Sequence, residues 1–241
     1  MIERYRDLII IYERDIAYVI SCDSLGAIGN KEHDQLKVSE DVVGKTTIKV
    51  ALAEALCLGA MPLVMADTLS VEMDPTGKKI IDAIEDELAE NNLSHVLLTG
   101  STEENFPTSM TGIGITVISR ANVSDLKVKN TKRGMHVCLL GYPLVGSEVI
   151  NSKNALELKD YVSIRKSKEI VEAIPVGSKG IKGEAEMLTD FLGLKLNWEQ
   201  ELPVDIKKTA GPATCVLVTC PTEFTITLPH PVFHLATIYS N

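Results

Sequence analysis

The hydrophobic and polar positions of the chain follow two periods, one typical of strands and one typical of helices. Short apolar runs rich in β-branched residues predict strands, and a 3.6-residue period predicts helices. The predicted strands cover residues 7–12, 16–22, 63–72, 95–98, 112–119, 135–140, 213–219 and 232–239. Because many neighbouring strands are close enough in sequence to pair antiparallel, the pattern predicts an α+β fold rather than a doubly wound sheet.

Two helices are predicted in the first half of the chain. The first begins after Ser39, a residue that can cap a helix, and ends at Gly59. Its apolar face is predicted to consist of residues 43, 47, 48, 51, 52, 55 and 58. The second has Asp74 at the N-cap and Pro75 at the first helical position, and it ends at residues 91–92.

A polar segment, residues 121–134, has the composition of a domain boundary. We therefore expect an N-terminal domain of residues 1–125 and a C-terminal α+β domain of residues 126–241. The second domain is predicted to contain a helical stretch that extends to residue 173, and a further helix over residues 182–192.

Composition narrows the classes of function. The 241 residues are 45% hydrophobic and 24% charged, which is typical of a soluble protein with a real core. A net charge of −9 without a basic patch argues against nucleic acid as a partner. No apolar run approaches the roughly 20 residues of a membrane span, and the first residues lack a signal-peptide core. The five cysteines lack zinc spacing, and three of them lie inside apolar runs, so we expect those three to be buried thiols and the protein to be cytoplasmic.

The segment of residues 97–108 carries the strongest chemical signal. An apolar strand runs into Gly100, and two hydroxyls and two adjacent carboxylates follow. Glycine admits close approach of a ligand to the backbone, hydroxyls donate to phosphate oxygens, and carboxylates offer hard oxygens to Mg²⁺. The predicted ligand-binding residues of this segment are Thr99, Gly100, Ser101 and Thr102.

Three acidic residues upstream have the same character. Asp23 directly follows an apolar strand, Glu54 lies on the first predicted helix, and Asp67 lies in the strand of residues 63–72. A Mg²⁺–nucleotide site needs carboxylates gathered from separate elements, so we predict these three residues as metal ligands. The alternative for each residue alone is a solvated surface acid, and Glu54 can equally pair with a lysine.

Two further segments have features that favour the binding of an anion. Gly26, Gly29 and Lys31 lie in a long loop predicted over residues 23–38, where backbone N–H groups can cradle phosphate. The segment lacks the Walker A spacing, and an ordinary loop fits it equally well. Lys179 lies where a loop meets a helix, a favourable position for an anion, although a plain surface lysine is the alternative.

Taken in chain order, these segments resemble the ATP-binding superfamily of aminoimidazole ribonucleotide synthetase, selenophosphate synthetase and thiamine monophosphate kinase. The resemblance covers nearly the whole chain and is carried by residues 21–26, 54–62, 99–102 and 176–181. It implies a two-domain fold whose N-terminal sheets pair into a barrel-like homodimer, with nucleotide near the interface. Glu54, Ser101 and Lys179 stand where the superfamily has aspartate or another acid.

Within this superfamily, residues 70–77, 98–108, 175–181 and 210–215 look most like α-ribazole kinase. That resemblance implies transfer of the γ-phosphate of Mg²⁺-bound ATP to the 5′-hydroxyl of α-ribazole, a step in making the lower loop of cobalamin. Lys179 would then neutralise charge on the transferred phosphoryl group. Glu104 and Asp67 are the candidates for the base.

Other functions stay open at this point. A thiamine monophosphate kinase-like enzyme or an amide-forming synthetase of the same superfamily would show the same carboxylates, although Lys179 argues against the former. A nucleotide-binding protein without turnover would account for the three altered acids.

Overall fold

The computed structural model describes residues 1–150, 152–221 and 229–240, and the chain divides into two compact units. The first unit consists of Met1–Ala55 and Ala60–Asp125, and the second of Leu56–Gly59 and Leu126–Asn241. Along the described ranges, no helix combines the length and the apolar character that crossing a bilayer would require.

The first unit is built on one large sheet and two helices. Its elements are β1 (Ile2–Tyr5), β2 (Leu8–Glu13), β3 (Ile16–Gly26), β4 (Ile28–Gly29), β5 (Leu36–Lys37), α1 (Glu40–Cys57), β6 (Met61–Leu69), α2 (Lys78–Glu90), β7 (Leu97–Ser101) and β8 (Gly112–Asn122). The six-stranded sheet has the order β1-β2-β3-β8-β6-β7. Strands β6 and β7 run parallel, whereas the other neighbouring pairs of this sheet are antiparallel.

Helix α1 packs on one face of the sheet and against α2. The Ser21 hydroxyl on β3 donates to the carbonyl of Ala51 on α1 at 2.7 Å. A Cβ on Gly44 would lie 2.7 Å from the Ile80 carbonyl oxygen, so the missing side chain allows α1 to approach α2 closely. The predicted apolar face of α1 is confirmed: residues 43, 47, 48, 51, 52 and 55 are buried.

Two local predictions in the first unit are wrong. Strand β3 continues to Gly26, beyond the predicted start of the loop at residue 23, because it pairs with β8 along its whole length. Asp74 does not cap α2: its backbone is extended (φ −116°, ψ 126°) inside a wide, π-type helical turn, Met73–Gly77, that leads into α2. The Gly77 N–H closes this turn by donating to the carbonyl of Glu72 at 2.9 Å.

The second unit is built on an antiparallel sheet. Its elements are β9 (His136–Gly141), α3 (Ser147–Ile150), α4 (Leu158–Lys166), β10 (Glu172–Pro175), α5 (Gly180–Asp190), β11 (Lys195–Trp198), β12 (Cys215–Cys220) and β13 (Val232–Tyr239). The five strands have the order β10-β12-β9-β13-β11. The predicted helical stretch to residue 173 is wrong, because Glu172 belongs to β10 and its buried carboxylate accepts the Thr131 N–H at 3.0 Å.

Candidate functional site

One cross-strand row of the first sheet contains two of the predicted metal ligands. Asp23 on β3 pairs with Ile115 on β8, Ile115 pairs with Asp67 on β6, and Asp67 pairs with Gly100 on β7. Residues that pair directly across strands share a face, and Ser21 shows that this face is the one covered by α1. With strands about 4.8 Å apart, the α-carbons of the two aspartates are about 10 Å apart.

The carboxylate of Asp67 is buried beside Gly100. Asp67 is 3% exposed, and its Oδ1 has no hydrogen-bond partner among the described residues. A Cβ on Gly100 would lie 2.1 Å from that Oδ1, so the carboxylate occupies the space that a side chain would fill. Burial raises the pKa of Asp67 above its usual value. An unpaired buried carboxylate oxygen is costly, and a bound cation would satisfy it.

Asp67 is one of the residues that line a cleft of about 230 Å³ in the first unit. The cleft is lined by Asp67, Met73, Ile81, Glu85, Leu98, Thr99, Gly100, Ser101 and Thr102. It brings together Asp67 and all four predicted ligand-binding residues. Thr99, Gly100 and Ser101 lie within β7, so the predicted strand end at residue 98 is wrong, and Thr102 directly follows the strand. Sequence reasoning missed Ile81 and Glu85, whose spacing of four residues on α2 places both on one helix face and was the available signal.

Asp23 and Glu54 do not line this cleft. Burial raises the pKa of Asp23, against a smaller lowering by a backbone hydrogen bond from Ser24. The Glu54 carboxylate accepts from the Arg6 guanidinium at 3.2 Å, so an arginine from the turn before β2 is a partner of Glu54.

The donor set of the cleft suits a magnesium ion that arrives with phosphate. Within the described ranges, no three His, Cys, Asp or Glu residues are grouped as a metal site. Mg²⁺ is usually held by one or two carboxylates together with water and substrate phosphates, so a preformed cage is not required. Asp67 fits that role, and the joint role of Asp23, Glu54 and Asp67 as ligands stays a prediction.

Lys31 is held by protein acceptors. Its Nζ donates to Glu72 Oε2 at 2.7 Å, to Glu72 Oε1 at 2.8 Å and to the Thr108 carbonyl at 3.2 Å. An ammonium group has three N–H donors, so a phosphate would have to displace one of these acceptors.

The loop that carries Lys31 is fixed to the start of β8. Asp34 accepts from the N–H and the hydroxyl of Thr111 at 2.8 and 2.7 Å. Gly29 has a φ of +154°, and a Cβ there would lie 2.3 Å from the Thr111 hydroxyl, so glycine is required by packing. A Cβ on Gly26 would meet none of the described atoms within 4 Å. Binding of phosphate by this loop stays a prediction.

The two predicted catalytic residues lie in different units. Glu104 Oε1 accepts from the Met73 N–H and from the Thr102 hydroxyl, both at 2.8 Å, so it ties the cleft wall together. Lys179 lies at the N-cap of α5 in the second unit, with its Nζ 3.6 Å from the Met187 sulfur. Their catalytic roles stay predictions.

Comparison with known proteins identifies the fold. No protein-family model and no curated protein matches the chain. Thiamine monophosphate kinase from Aquifex aeolicus has 13% identity and a TM-score of 0.69, over 98% of this chain and 90% of that chain. The enzyme from Stenotrophomonas maltophilia has 15% identity and a TM-score of 0.66, over 100% and 89%. PurL from T. maritima, complexed with ATP, has 14% identity and a TM-score of 0.57, over 96% and 37%.

The chain therefore has the mixed α and β fold that thiamine monophosphate kinase and PurL share. A further structure with this fold, AaThiL complexed with AMPPCP and TMP, has 12% identity and a TM-score of 0.68, over 98% of this chain and 85% of that chain. Closeness to α-ribazole kinase and the barrel-like dimer stay predictions.

Substitution of Gly100 tests the packing of Asp67. In Gly100→Ala the added methyl group would collide with Asp67 Oδ1, and we expect a loss of about 1–3 kcal/mol in the free energy of unfolding, measured in urea. Gly26→Ala is the matched control, because the described surroundings of Gly26 leave room for a methyl group. Equal stability of the two variants would contradict the packing described here.

Acid unfolding tests the Glu72 contacts. Despite the opposing effect of burial, hydrogen bonds from Lys31, Thr76 and Thr108 lower the pKa of Glu72 to about 2, from 4.5. A lowered pKa in the folded state adds stability above pH 4.5 that is lost as the pH falls from 4.5 towards 2. We expect the free energy of unfolding to fall less steeply over that window in Glu72→Gln than in the unmodified chain; parallel curves would refute the contribution.

Proposed function

We propose that this chain is a Mg²⁺–ATP-dependent small-molecule kinase, and that α-ribazole is its acceptor. The observation that carries the proposal is the buried Oδ1 of Asp67, unpaired among the described residues, in a cleft that Thr99, Ser101 and Thr102 also line. A carboxylate oxygen for a cation beside hydroxyl donors for phosphate is the combination that a metal-bound triphosphate needs.

The residues of the cleft would divide the work of phosphoryl transfer between them. Asp67 would bind Mg²⁺, which when bound neutralises charge on the phosphate oxygens. Ser101 and Thr102 would donate to those oxygens, and Gly100 leaves the space in which Asp67 sits. Since such transfers depend mainly on positioning and electrostatics, a lysine that neutralises charge on the transferred phosphoryl group would add to the rate, and Lys179 is our candidate. Glu104 is our candidate for the base.

The fold supports the use of ATP by this chain. Structures with the same fold hold AMPPCP and TMP in one case and ATP in another. The choice of α-ribazole rests on the four stretches of sequence that resemble α-ribazole kinase, and Lys179 in place of an acid argues against thiamine monophosphate as the acceptor.

An acceptor panel tests the function. Purified protein would be incubated with Mg²⁺–ATP and, separately, α-ribazole, thiamine monophosphate or an aminoimidazole precursor, with ADP and the phosphorylated acceptor both measured. We expect one molecule of ADP to form for each molecule of α-ribazole 5′-phosphate that is produced. No ADP with any acceptor, in a protein that binds nucleotide, would contradict a kinase and favour a binding protein.

An amide-forming synthetase is the second candidate, because PurL complexed with ATP shares the fold. In that case ADP would form together with free inorganic phosphate, and no phosphorylated acceptor would accumulate. The same panel therefore separates the two activities.

Removal of the carboxylate charge tests the metal role. Asp67→Asn keeps the side-chain shape, and we expect turnover to fall at least about 100-fold, the effect of losing one electrostatic contact to the transition state. Asp23→Asn should also lower turnover strongly if it shares the cation. Asp82→Asn, which removes one exposed charge paired with Lys78, is the control. Near-normal activity of Asp67→Asn with the fold intact would refute the role of Asp67.

We also propose that the chain forms a homodimer through the uncovered face of the first sheet. One row on this face is apolar across five strands: Ile9, Ile20, Ile118, Val64 and Leu97 pair in that order. Ile118 is 37% exposed and Leu97 is 71% exposed. A contiguous exposed apolar surface of this kind is typical of an interface, and a second copy would cover it with the same surface.

A charge on this face tests the dimer. Ile118→Lys places an ammonium group in the middle of the apolar row, and we expect light scattering to give half the mass of the unmodified protein. Ser94→Lys adds the same charge at an exposed turn and should leave the mass unchanged. A single-chain mass for the unmodified protein would contradict the dimer.

A further inference from the structure

Glu72 joins three segments that surround the candidate site. Its carboxylate accepts from Lys31 in the loop after β4, from the Thr76 hydroxyl at 2.5 Å in the turn before α2, and from the Thr108 hydroxyl at 3.1 Å in the loop after β7. Lys31 in turn donates to the Thr108 carbonyl, which closes the network. In each contact the donor or the acceptor is charged, and such hydrogen bonds are stronger than those between neutral groups.

The residues on either side of Glu72 hold the wall of the cleft. The Val71 carbonyl accepts from the Glu103 N–H at 2.9 Å, and the Met73 N–H donates to Glu104 Oε1 at 2.8 Å. Met73 and Thr102 both line the cleft. The backbone of residues 71–73 is therefore bonded to the segment that directly follows the hydroxyl side chains of Ser101 and Thr102.

We propose that Glu72 is a positioning residue of the nucleotide site, which acts by holding residues 102–108 and Lys31 against the turn of residues 72–76. This inference rests on the proposed function. Glu72 does not line the cleft, so it acts through the segment it holds rather than by touching the ligand. Because the loop is fixed in this way, the hydroxyl donors are in place before phosphate enters. Their loss of conformational entropy therefore does not weaken nucleotide binding.

The placement of Glu72 also assigns a role to Lys31. Both carboxylate oxygens of Glu72 point at the Lys31 ammonium, and the side chain of Lys31 is 14% exposed. Removal of either partner leaves a charge in this partly buried place without its counter-charge, which is costly. Lys31 and Glu72 should therefore behave as one unit, and loss of both should cost no more nucleotide affinity than loss of Glu72 alone.

Nucleotide binding and loop exchange together test this inference. The dissociation constant of Mg²⁺–AMPPCP would be measured by calorimetry for the unmodified chain, Glu72→Gln, Lys31→Met and the double variant, with Asp82→Asn as a control of equal charge change. Hydrogen exchange of the amides of residues 102–110 would be followed in the same proteins. We expect Glu72→Gln to weaken binding about tenfold or more, which is about 1.4 kcal/mol, and to speed exchange of that segment.

A second variant covers the case in which Glu72→Gln fails to fold. Thr108→Val removes one hydroxyl donor to Glu72 without a change of charge, and we expect binding to weaken about two- to tenfold. Faster exchange with unchanged affinity would show a merely structural role and overturn the inference, as would unchanged exchange. Absence of nucleotide binding by the unmodified chain would overturn the proposed function itself, and the exchange data would still show whether Glu72 holds the loop.

Discussion

The structure of the candidate site depends on one contact, the Asp67 carboxylate lying beside Gly100 on the neighbouring strand. The parallel pairing of β6 and β7 places these two residues opposite each other, and the missing side chain of Gly100 creates the space for the carboxylate. The sheet thus keeps a charged group buried with one oxygen unpaired in the described structure, although this lowers stability. A buried group that lowers folding stability in this way is typical of a functional site, because a bound ligand can offset the loss of stability.

The polar groups around this contact serve two different purposes. Asp34, Glu72 and Glu104 accept hydrogen bonds from other loops, so they hold the backbone around the cleft. Asp67 accepts none from the described residues through its buried Oδ1 and is our candidate for binding the cation. These acids therefore differ in their hydrogen-bond partners, a distinction that charge or spacing in the sequence does not make.

Local features of the fold were predictable from the sequence. The apolar period of α1 and the strand patterns depend on neighbouring residues, and the structure confirms them. The turn at Met73–Gly77 was not predictable, because it depends on the carboxylate of Glu72 and on the loop after β7. The strand beginning at Glu172 was missed for the same reason, since its buried carboxylate is bonded to Thr131, 41 residues earlier in the chain.

The residue types of the candidate site were predictable from the sequence, but the hydrogen-bond and ion-pair partners of these residues were not. Asp67 and the residues 99–102, at the end of β7, do share a cleft, as expected for residues at one end of a sheet. The ion pairs of Arg6 with Glu54 and of Lys31 with Glu72 join residues 48 and 41 positions apart, and no local pattern indicates them. Register across β3, β8 and β6 decides that Asp23 and Asp67 share a row, and register follows only from the folded sheet.

Asp67 is proposed to hold a cation through which a nucleotide is bound. The most direct measurement is a calorimetric titration of the unmodified chain and of Asp67→Asn with AMPPCP, each in excess Mg²⁺ and in excess EDTA. The account predicts that the unmodified chain binds at least about tenfold more tightly with Mg²⁺, and that Asp67→Asn loses this difference. Equal affinity of the unmodified chain in both buffers, or an undiminished Mg²⁺ effect in Asp67→Asn, would contradict it.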